Sequence, residues 1–133
     1  MTQTAYGFGT STRLPYDETV ARVRALLQEE GFGVLTEIDV KKTMKQKLDA
    51  DFRRYVILGA CNPRLAHRAF QAELEIGLLL PCNVVVYEDG DHSVVSVMDP
   101  LAALRIAGNE TLQPIAQEAR AALERVIKRV GGA

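Results

Sequence analysis

Two cysteines are the residues of this sequence whose type and position suggest chemistry. Cys61 directly precedes Asn62 and Pro63, which predict the start of a helix, because asparagine is a good N-cap and proline loses no hydrogen bond in the first turn. The positive end of that helix would favour a thiolate and lower the pKa of the Cys61 thiol. Cys82 follows Pro81 and begins a run rich in valine. If the two segments form neighbouring strands, their sulfurs could form a reversible disulfide or bind a soft metal.

Three interpretations of the cysteine pair stay open. The two residues could be small apolar side chains packed in a sheet, since free cysteine is among the most buried residue types. They could instead be a redox or sulfur-handling pair, or two ligands of a metal. A metal site needs further ligands, and neither His67 nor His92 stands at a recognised zinc-ligand spacing from a cysteine. We therefore nominate no metal ligands, and nothing in the sequence demands a cofactor.

Motifs for other kinds of catalysis do not stand out. Glu73 and Glu75 are two positions apart, so they do not share a helix face. Gly7 and Gly9 precede neither a P-loop lysine nor a helix start with dinucleotide-binding spacing. Aromatic residues make up 6% of the chain and are not interleaved with basic residues, which disfavours a stacking platform for nucleic acid. Without a recognised catalytic motif, the question of enzyme activity stays open.

The composition is that of an ordinary globular domain. The chain has 133 residues, of which 47% are hydrophobic and 25% charged, and a single domain over residues 1–133 is expected. No apolar run reaches the length of about 18 residues that predicts a membrane span, and the first residues lack the pattern of a secretory signal. We therefore expect a cytoplasmic protein whose cysteines remain reduced, with no membrane and no nucleic-acid partner.

The formal net charge of -1 hides a charge polarity along the chain. Residues 39–68 contain eight Lys or Arg against three Asp or Glu, whereas residues 73–99 contain six acidic residues and no Lys or Arg. This polarity fits complementary faces that meet in a homodimer. It also fits a small molecule or anion that binds near Lys41, Lys42 and Lys45 on a basic helix.

The hydrophobic periodicity predicts an alternation of strands and helices. Strands are expected at residues 5–14, 32–38, 55–61, 82–87 and 93–98, with the 82–87 strand buried on both faces and a hairpin turn at Asp89-Gly90. Helices are expected at residues 16–31, after an Asp39 N-cap, from Asn62 to Gly77 and from a Thr111 N-cap to Gly131, with a short helical or irregular piece at 101–107. This order predicts an α+β fold, a two-layer antiparallel sheet with helices on one face.

The apolar connection Leu78-Leu79-Leu80-Pro81 should be shielded from water. Contiguous apolar patches of this kind are uncommon on soluble monomers. We expect the segment to be packed under another element or against another subunit.

Several segments together resemble a known family. These are residues 57–63 (ILGACNP) and 76–86 (IGLLLPCNVVV), with GFGV at 31–34 before them and Asp99-Pro100 after them. They resemble the bacterial and archaeal domain-of-unknown-function family 302, over about residues 16–104. The resemblance implies a small cytoplasmic domain with a TATA-binding-protein-like β-α-β4-α arrangement, short helical insertions, and a homodimer. The family has no established activity, so no catalytic residue is transferred.

Our leading hypothesis is a dimeric, non-enzymatic module that binds a small molecule or a partner. Its site would lie near Cys61, Asn62, Pro81, Cys82 and Asn83, where two similar Cys-Asn segments flank an apolar loop. The alternative is a thiol-dependent redox or sulfur-handling protein that uses the two cysteines, or a soft-metal-binding protein.

Overall fold

The chain folds into one six-stranded sheet, seen in a computed structural model that describes residues 2–132. The strands are β1 (Thr2–Gln3), β2 (Gly7–Thr12), β3 (Gly33–Asp39), β4 (Tyr55–Cys61), β5 (Cys82–Asp89) and β6 (His92–Met98). Their spatial order is β1-β2-β6-β5-β4-β3, and each neighbouring pair is antiparallel. The helices are α1 (Tyr16–Glu29), α2 (Val40–Leu48), α3 (Pro63–Ala72), α4 (Pro100–Arg105) and α5 (Gln113–Gly131), with 3₁₀ turns at Leu74–Leu79 and Glu110–Leu112.

Alternate residues of the central strands point into one hydrophobic core, because side chains of a strand alternate between the two faces of the sheet. The helices α1 and α5 pack against this face and against each other. The strands contribute Val56, Leu58, Ala60, Val84, Val86, Val95 and Val97, and the two helices contribute Val23, Leu26, Leu27, Ala119, Leu123, Val126 and Ile127. The predicted α+β fold and its order of elements are confirmed.

Two helices begin at the capping residues that the sequence predicts. The side chain of Asp39 accepts a hydrogen bond from the Lys42 backbone N–H at 3.0 Å, at the start of α2. Asn62 does the same for the Leu65 N–H at 3.2 Å, with Pro63 as the first residue of α3. These caps are local interactions, and for that reason the sequence pattern identifies them.

Two strands are less buried than predicted. The strand β5 was expected to be buried on both faces, but Val85 is only half-buried, because it lies on the face of the sheet opposite α1 and α5. The strand β3 forms an edge of the sheet, and its Leu35 and Ile38 side chains are 67% and 49% exposed. In α2, the apolar stripe is not buried, and Leu48 is 70% exposed.

Three boundaries differ from the prediction. The helix predicted from Asn62 to Gly77 ends at Ala72, where the side-chain amide of Asn109 donates to the Ala72 carbonyl at 3.2 Å. The hairpin turn has Gly90 and Asp91 at its centre rather than Asp89 and Gly90, since Asp89 pairs with His92. The final helix starts at Gln113, after a 3₁₀ turn, and it is Asn109, not Thr111, whose side chain caps that turn.

None of the helices within residues 2–132 combines the length and the apolar character that crossing a bilayer requires.

Candidate functional site

A cavity of about 300 Å³ lies where the end of β4 and the start of β5 meet the helices α3, α4 and α5. Four of the five predicted site residues line it, namely Cys61, Asn62, Pro81 and Cys82. The remaining lining residues are Phe32, Leu35, Thr36, Ala60, Leu65, Ala66, Ala69, Phe70, Gly77, Leu79, Leu80, Pro100, Ala103, Leu104, Ile115 and Ala119. We call this cavity the thiol pocket. The fifth predicted residue, Asn83, lies outside it and is exposed.

The two cysteines come from neighbouring strands, as the disulfide hypothesis required. The register, however, places Cys82 opposite Ala60, while Cys61 pairs with Gly33 on the other side of β4. Because consecutive side chains of a strand point to opposite faces, Cys61 and Cys82 are not a directly opposed cross-strand pair. Both are free thiols and both are partly buried.

Burial raises the pKa of both thiols. The pKa of Cys82 rises to about 11 through desolvation, with a smaller contribution from the nearby Cys61, and burial also raises the pKa of Cys61. The prediction that the α3 N-terminus lowers the pKa of Cys61 is therefore wrong in direction: the pKa is raised, and the cause is desolvation by burial. A raised pKa keeps both groups protonated at neutral pH, and a protonated thiol is a poor nucleophile.

The pocket exists because small apolar residues of three helices face the sheet. Ala66 and Ala69 from α3, Ala103 from α4 and Ala119 from α5 leave space where larger side chains would close it. Within residues 2–132, the side chains that line the pocket include no Asp, Glu, Lys, Arg or His. The site can therefore hold an apolar molecule, while it offers no charge to a polar one.

Asn62 and Pro81 have structural tasks in this wall. The Asn62 side chain caps α3, and it also packs close to Gly31, whose φ of 85° favours glycine. Pro81 and Thr36 both cover Gly59: a Cβ on Gly59 would overlap the Thr36 hydroxyl and lie 2.9 Å from Pro81 Cγ. The position therefore needs glycine for close approach rather than for its φ angle.

A second cavity, of about 440 Å³, adjoins the thiol pocket. Leu79, Leu80, Pro81 and Ala103 line both cavities, so the Leu78–Pro81 segment separates them. Leu79 and Leu80 are partly buried against the core, as predicted. Leu78 is 84% exposed, so the expectation that the whole segment is covered does not hold within this chain.

Leu78 belongs to an exposed apolar surface. Leu74 and Ile106 are 82% and 76% exposed, and Leu78 and Ile106 line the second cavity together. We call Leu74, Leu78 and Ile106 the leucine patch. The sequence pattern points to Leu78 but not to Ile106, because only the folded chain brings α4 beside the 3₁₀ turn.

The opposite face of the sheet carries an aromatic cluster that the sequence did not reveal. The rings of Tyr55 and Tyr87 are stacked, with centroids 5.1 Å apart and planes at 4° to each other. Phe52 lies 6.0 Å from Tyr55, and the Arg53 guanidinium lies 5.9 Å above the Tyr87 ring. The register of β4 and β5 creates this cluster, since it pairs Tyr55 with Tyr87.

Much of the charge polarity of the sequence is neutralised inside the chain. Arg53 lies 3.7 Å from Asp89, and Arg54 lies 3.9 Å from Glu88, which joins the basic segment to the acidic one. Of the predicted anion site, the Lys45 ammonium binds Asp49 at 2.9 Å, and the Lys41 ammonium donates to the Phe52 carbonyl at 3.3 Å. Lys42 contributes its backbone N–H to the Asp39 cap.

Metal ligands are not assembled in the part of the chain that the structure describes. Across residues 2–132 no three His, Cys, Asp or Glu side chains are grouped where they could hold a metal ion. His67 is exposed on α3, and the Nδ1 atom of His92 lies 2.6 Å from Asp91 in the hairpin.

The fold and the thiol pocket together define a two-layer α+β domain with an apolar cavity at the end of its sheet. The family described as "Domain of unknown function DUF302" matches residues 8–130, so the chain belongs to this family and the resemblance predicted from the sequence is confirmed. A crystal structure of an uncharacterized conserved protein DUF302 from Bacillus stearothermophilus is similar, with a TM-score of 0.88 and 28% sequence identity. The similarity covers 96% of this chain and 99% of that chain. No curated protein matches this chain.

Proposed function

We propose that this DUF302 domain is a single-domain binding module that holds an apolar small molecule in the thiol pocket. The observation that carries the proposal is a cavity of about 300 Å³ whose wall has no ionisable side chain apart from two thiols that are neutral at physiological pH. Cavities that bind small molecules are apolar and occupy roughly 300–1,000 Å³. The pocket lies at the lower end of that range, which favours a compact ligand.

A thiol-dependent redox activity has less support than binding. A reactive cysteine needs an electropositive environment that stabilises the thiolate, whereas burial disfavours the thiolate of both Cys61 and Cys82. A soft metal would need further ligands beside the two cysteines, and within residues 2–132 no three His, Cys, Asp or Glu side chains are grouped where they could hold one. If Cys61 is alkylated faster than a model thiol at neutral pH, the redox alternative replaces the binding function.

The test of binding uses 1-naphthol, an uncharged fluorescent probe small enough for the pocket, whose neutral-form emission rises when an apolar site shields it from water. We expect saturable binding to the native protein, and a loss of affinity of about tenfold or more in Ala66→Phe, which fills the thiol pocket. Ala102→Phe is the matched control, because Ala102 lines the second cavity and not the thiol pocket. Equal binding by all three proteins would contradict the proposal.

We also propose that the domain acts as a homodimer, and that the leucine patch is its contact. The three large apolar side chains of the patch are exposed and two of them, Leu78 and Ile106, line the second cavity, which supports this because exposed apolar patches mark interfaces. Sedimentation of the native protein and of Leu78→Ser tests it. The native protein should sediment as a dimer and the variant as a monomer, and a native monomer at micromolar concentration would refute the dimer.

Two further predictions stay proposals of the same kind. An anion that docks near Lys41, Lys42 and Lys45 would have to compete with Asp49 and Asp51 for Lys45.

A cytoplasmic location is supported by the two cysteines, which are free thiols in the fold. Fractionation of the native cells tests the location, and phosphate titration tests the anion site.

A further inference from the structure

The chemistry of the thiol pocket restricts the charge of its ligand. We propose that the pocket selects an uncharged molecule with a hydrocarbon body and a single hydroxyl or carbonyl group, and rejects carboxylates and amines. The inference rests on the proposed binding function and adds the ligand class to it. It is carried by the lining residues, which are aliphatic, aromatic, small or neutral polar and which come from β3, β4, β5 and three helices.

A charged ligand would find no counter-charge in this wall. The partly buried charges next to it are Asp99 and Arg120, which neighbour the lining residues Pro100 and Ala119 in the chain. Arg120 is paired with Asp99 and also with Glu124, at 2.8 Å, and its guanidinium packs 4.7 Å above the Phe8 ring. Because this network is satisfied internally, neither partner is available to a ligand. An isolated carboxylate or ammonium in the pocket would lose its hydration without compensation.

The neutral polar groups of the wall can orient a ligand that carries one polar group. They are the Thr36 hydroxyl, the Asn62 amide and the two thiols, and the Asn62 carbonyl oxygen is already bound to the Leu65 N–H. Thr36, Cys61 and Asn62 come from β3, from β4 and from the residue after β4, whereas Ile115 and Ala119 come from α5. A hydroxyl or carbonyl of the ligand would therefore lie toward the β3–β4 edge, and its hydrocarbon part would lie toward α5.

The volume of the pocket limits the size of the ligand. A volume of about 300 Å³ corresponds to roughly ten non-hydrogen atoms, if each occupies about the same volume as a water molecule in the liquid, roughly 30 Å³. In a series of straight-chain alcohols, each added methylene should strengthen binding by a factor of about 4 until the chain fills the pocket. Beyond that length the gain should stop.

The experiment compares three probes of equal length and different charge. Octanol, octanoate and octylammonium are titrated against 1-naphthol bound to the native protein at neutral pH. We expect octanol to displace the dye, and the two ions to require at least about 100-fold higher concentrations. Acidification that protonates octanoate should restore its binding. Displacement by octanoate or octylammonium at the same concentration as octanol would overturn the inference.

A charged variant keeps the two proposals distinguishable. In Ala66→Lys the pocket gains a cation, so octanoate should bind more tightly than octanol, whereas Ala102→Lys, outside the pocket, should keep the native order. If neither octanol nor the dye binds the native protein, the proposed function itself fails. If the dye and octanol bind and the ions bind equally well, only the ligand class is wrong.

Discussion

The two ends of strand β4 border cavities of opposite character. At its start, a cleft of about 400 Å³ is lined by charged residues that bind one another: Arg54 pairs with Asp17, and Arg24 pairs with Glu37 at 2.6 Å. At its end lies the thiol pocket, whose wall carries no such charges. In the cleft, the Arg54 guanidinium also lies 4.5 Å from the centre of the Tyr16 ring. The pKa of Tyr16 is raised to about 12, mainly by burial.

The two cavities differ in whether their lining residues satisfy one another. The charged cleft satisfies itself, because each of these arginines has a carboxylate partner and water hydrates the exposed groups. The thiol pocket cannot be satisfied by water, since its apolar wall offers few hydrogen bonds.

The largest effect on stability is expected at Gly59, where a side chain has no room, in contrast to Gly33. Gly59→Val should lower the free energy of unfolding by about 3 kcal/mol, because the new side chain would overlap Thr36 and Pro81 in the pocket wall. The matched control is Gly33→Val in the neighbouring strand, where a Cβ meets nothing within 4 Å. Urea unfolding measures both variants. Equal stability of the two would show that the wall is not packed as described.

The stability of the protein at alkaline pH tests the burial of the Cys82 thiol in the pocket wall. Its pKa rises from 9.0 to about 11, so the folded state prefers the protonated thiol. The contribution to stability is fully present below pH 9.0 and is lost as the pH rises through about 11. We expect a loss of about 2 kcal/mol over this window that is absent in Cys82→Ala. Unfolding curves at several pH values measure it, and identical pH profiles of the two proteins would argue against burial of the thiol.

Removal of the cap at the pocket end should have a moderate effect. Asn62→Ala leaves the Leu65 N–H without its side-chain acceptor and should cost about 1 kcal/mol, whereas Asn62→Asp keeps an acceptor and should restore most of it. Thermal unfolding compares the two variants. If alanine and aspartate destabilise equally, the cap is not what holds α3.

A substitution in the charged cleft should have the smallest effect on stability. Asp17→Asn removes the carboxylate that binds Arg54, yet Asp17 is 78% exposed, so the loss of stability should stay below about 1 kcal/mol. The loss should shrink further as salt is added. A large effect that salt does not reduce would mean that the cleft, and not the thiol pocket, is the stronger candidate site.

The sequence predicts what local chemistry determines. Asn62 and Asp39 cap helices by accepting hydrogen bonds from residues three positions away, so both caps follow from the local sequence. The end of α3 could not be predicted in this way, because Asn109, which lies 37 positions along the chain, binds its last carbonyl.

Part of the candidate site could be predicted from the sequence, because local chemistry determines it. The residues Cys61, Asn62, Pro81 and Cys82 stand at strand and helix ends, so their position beside one another follows from strand pairing. The pocket itself depends on alanines that three separate helices bring together, and the direction of the thiol pKa depends on burial. Both are properties of tertiary packing that no local pattern contains.

The most direct test of the binding site is a methyl NMR titration of the native protein with octanol. Ala69 and Ala119 line the thiol pocket, and Ala21 lines the charged cleft at the other end of β4. We predict that the methyl resonances of Ala69 and Ala119 shift in a saturable way while that of Ala21 stays in place. A shift of the Ala21 resonance with unchanged Ala69 and Ala119 resonances would contradict the account.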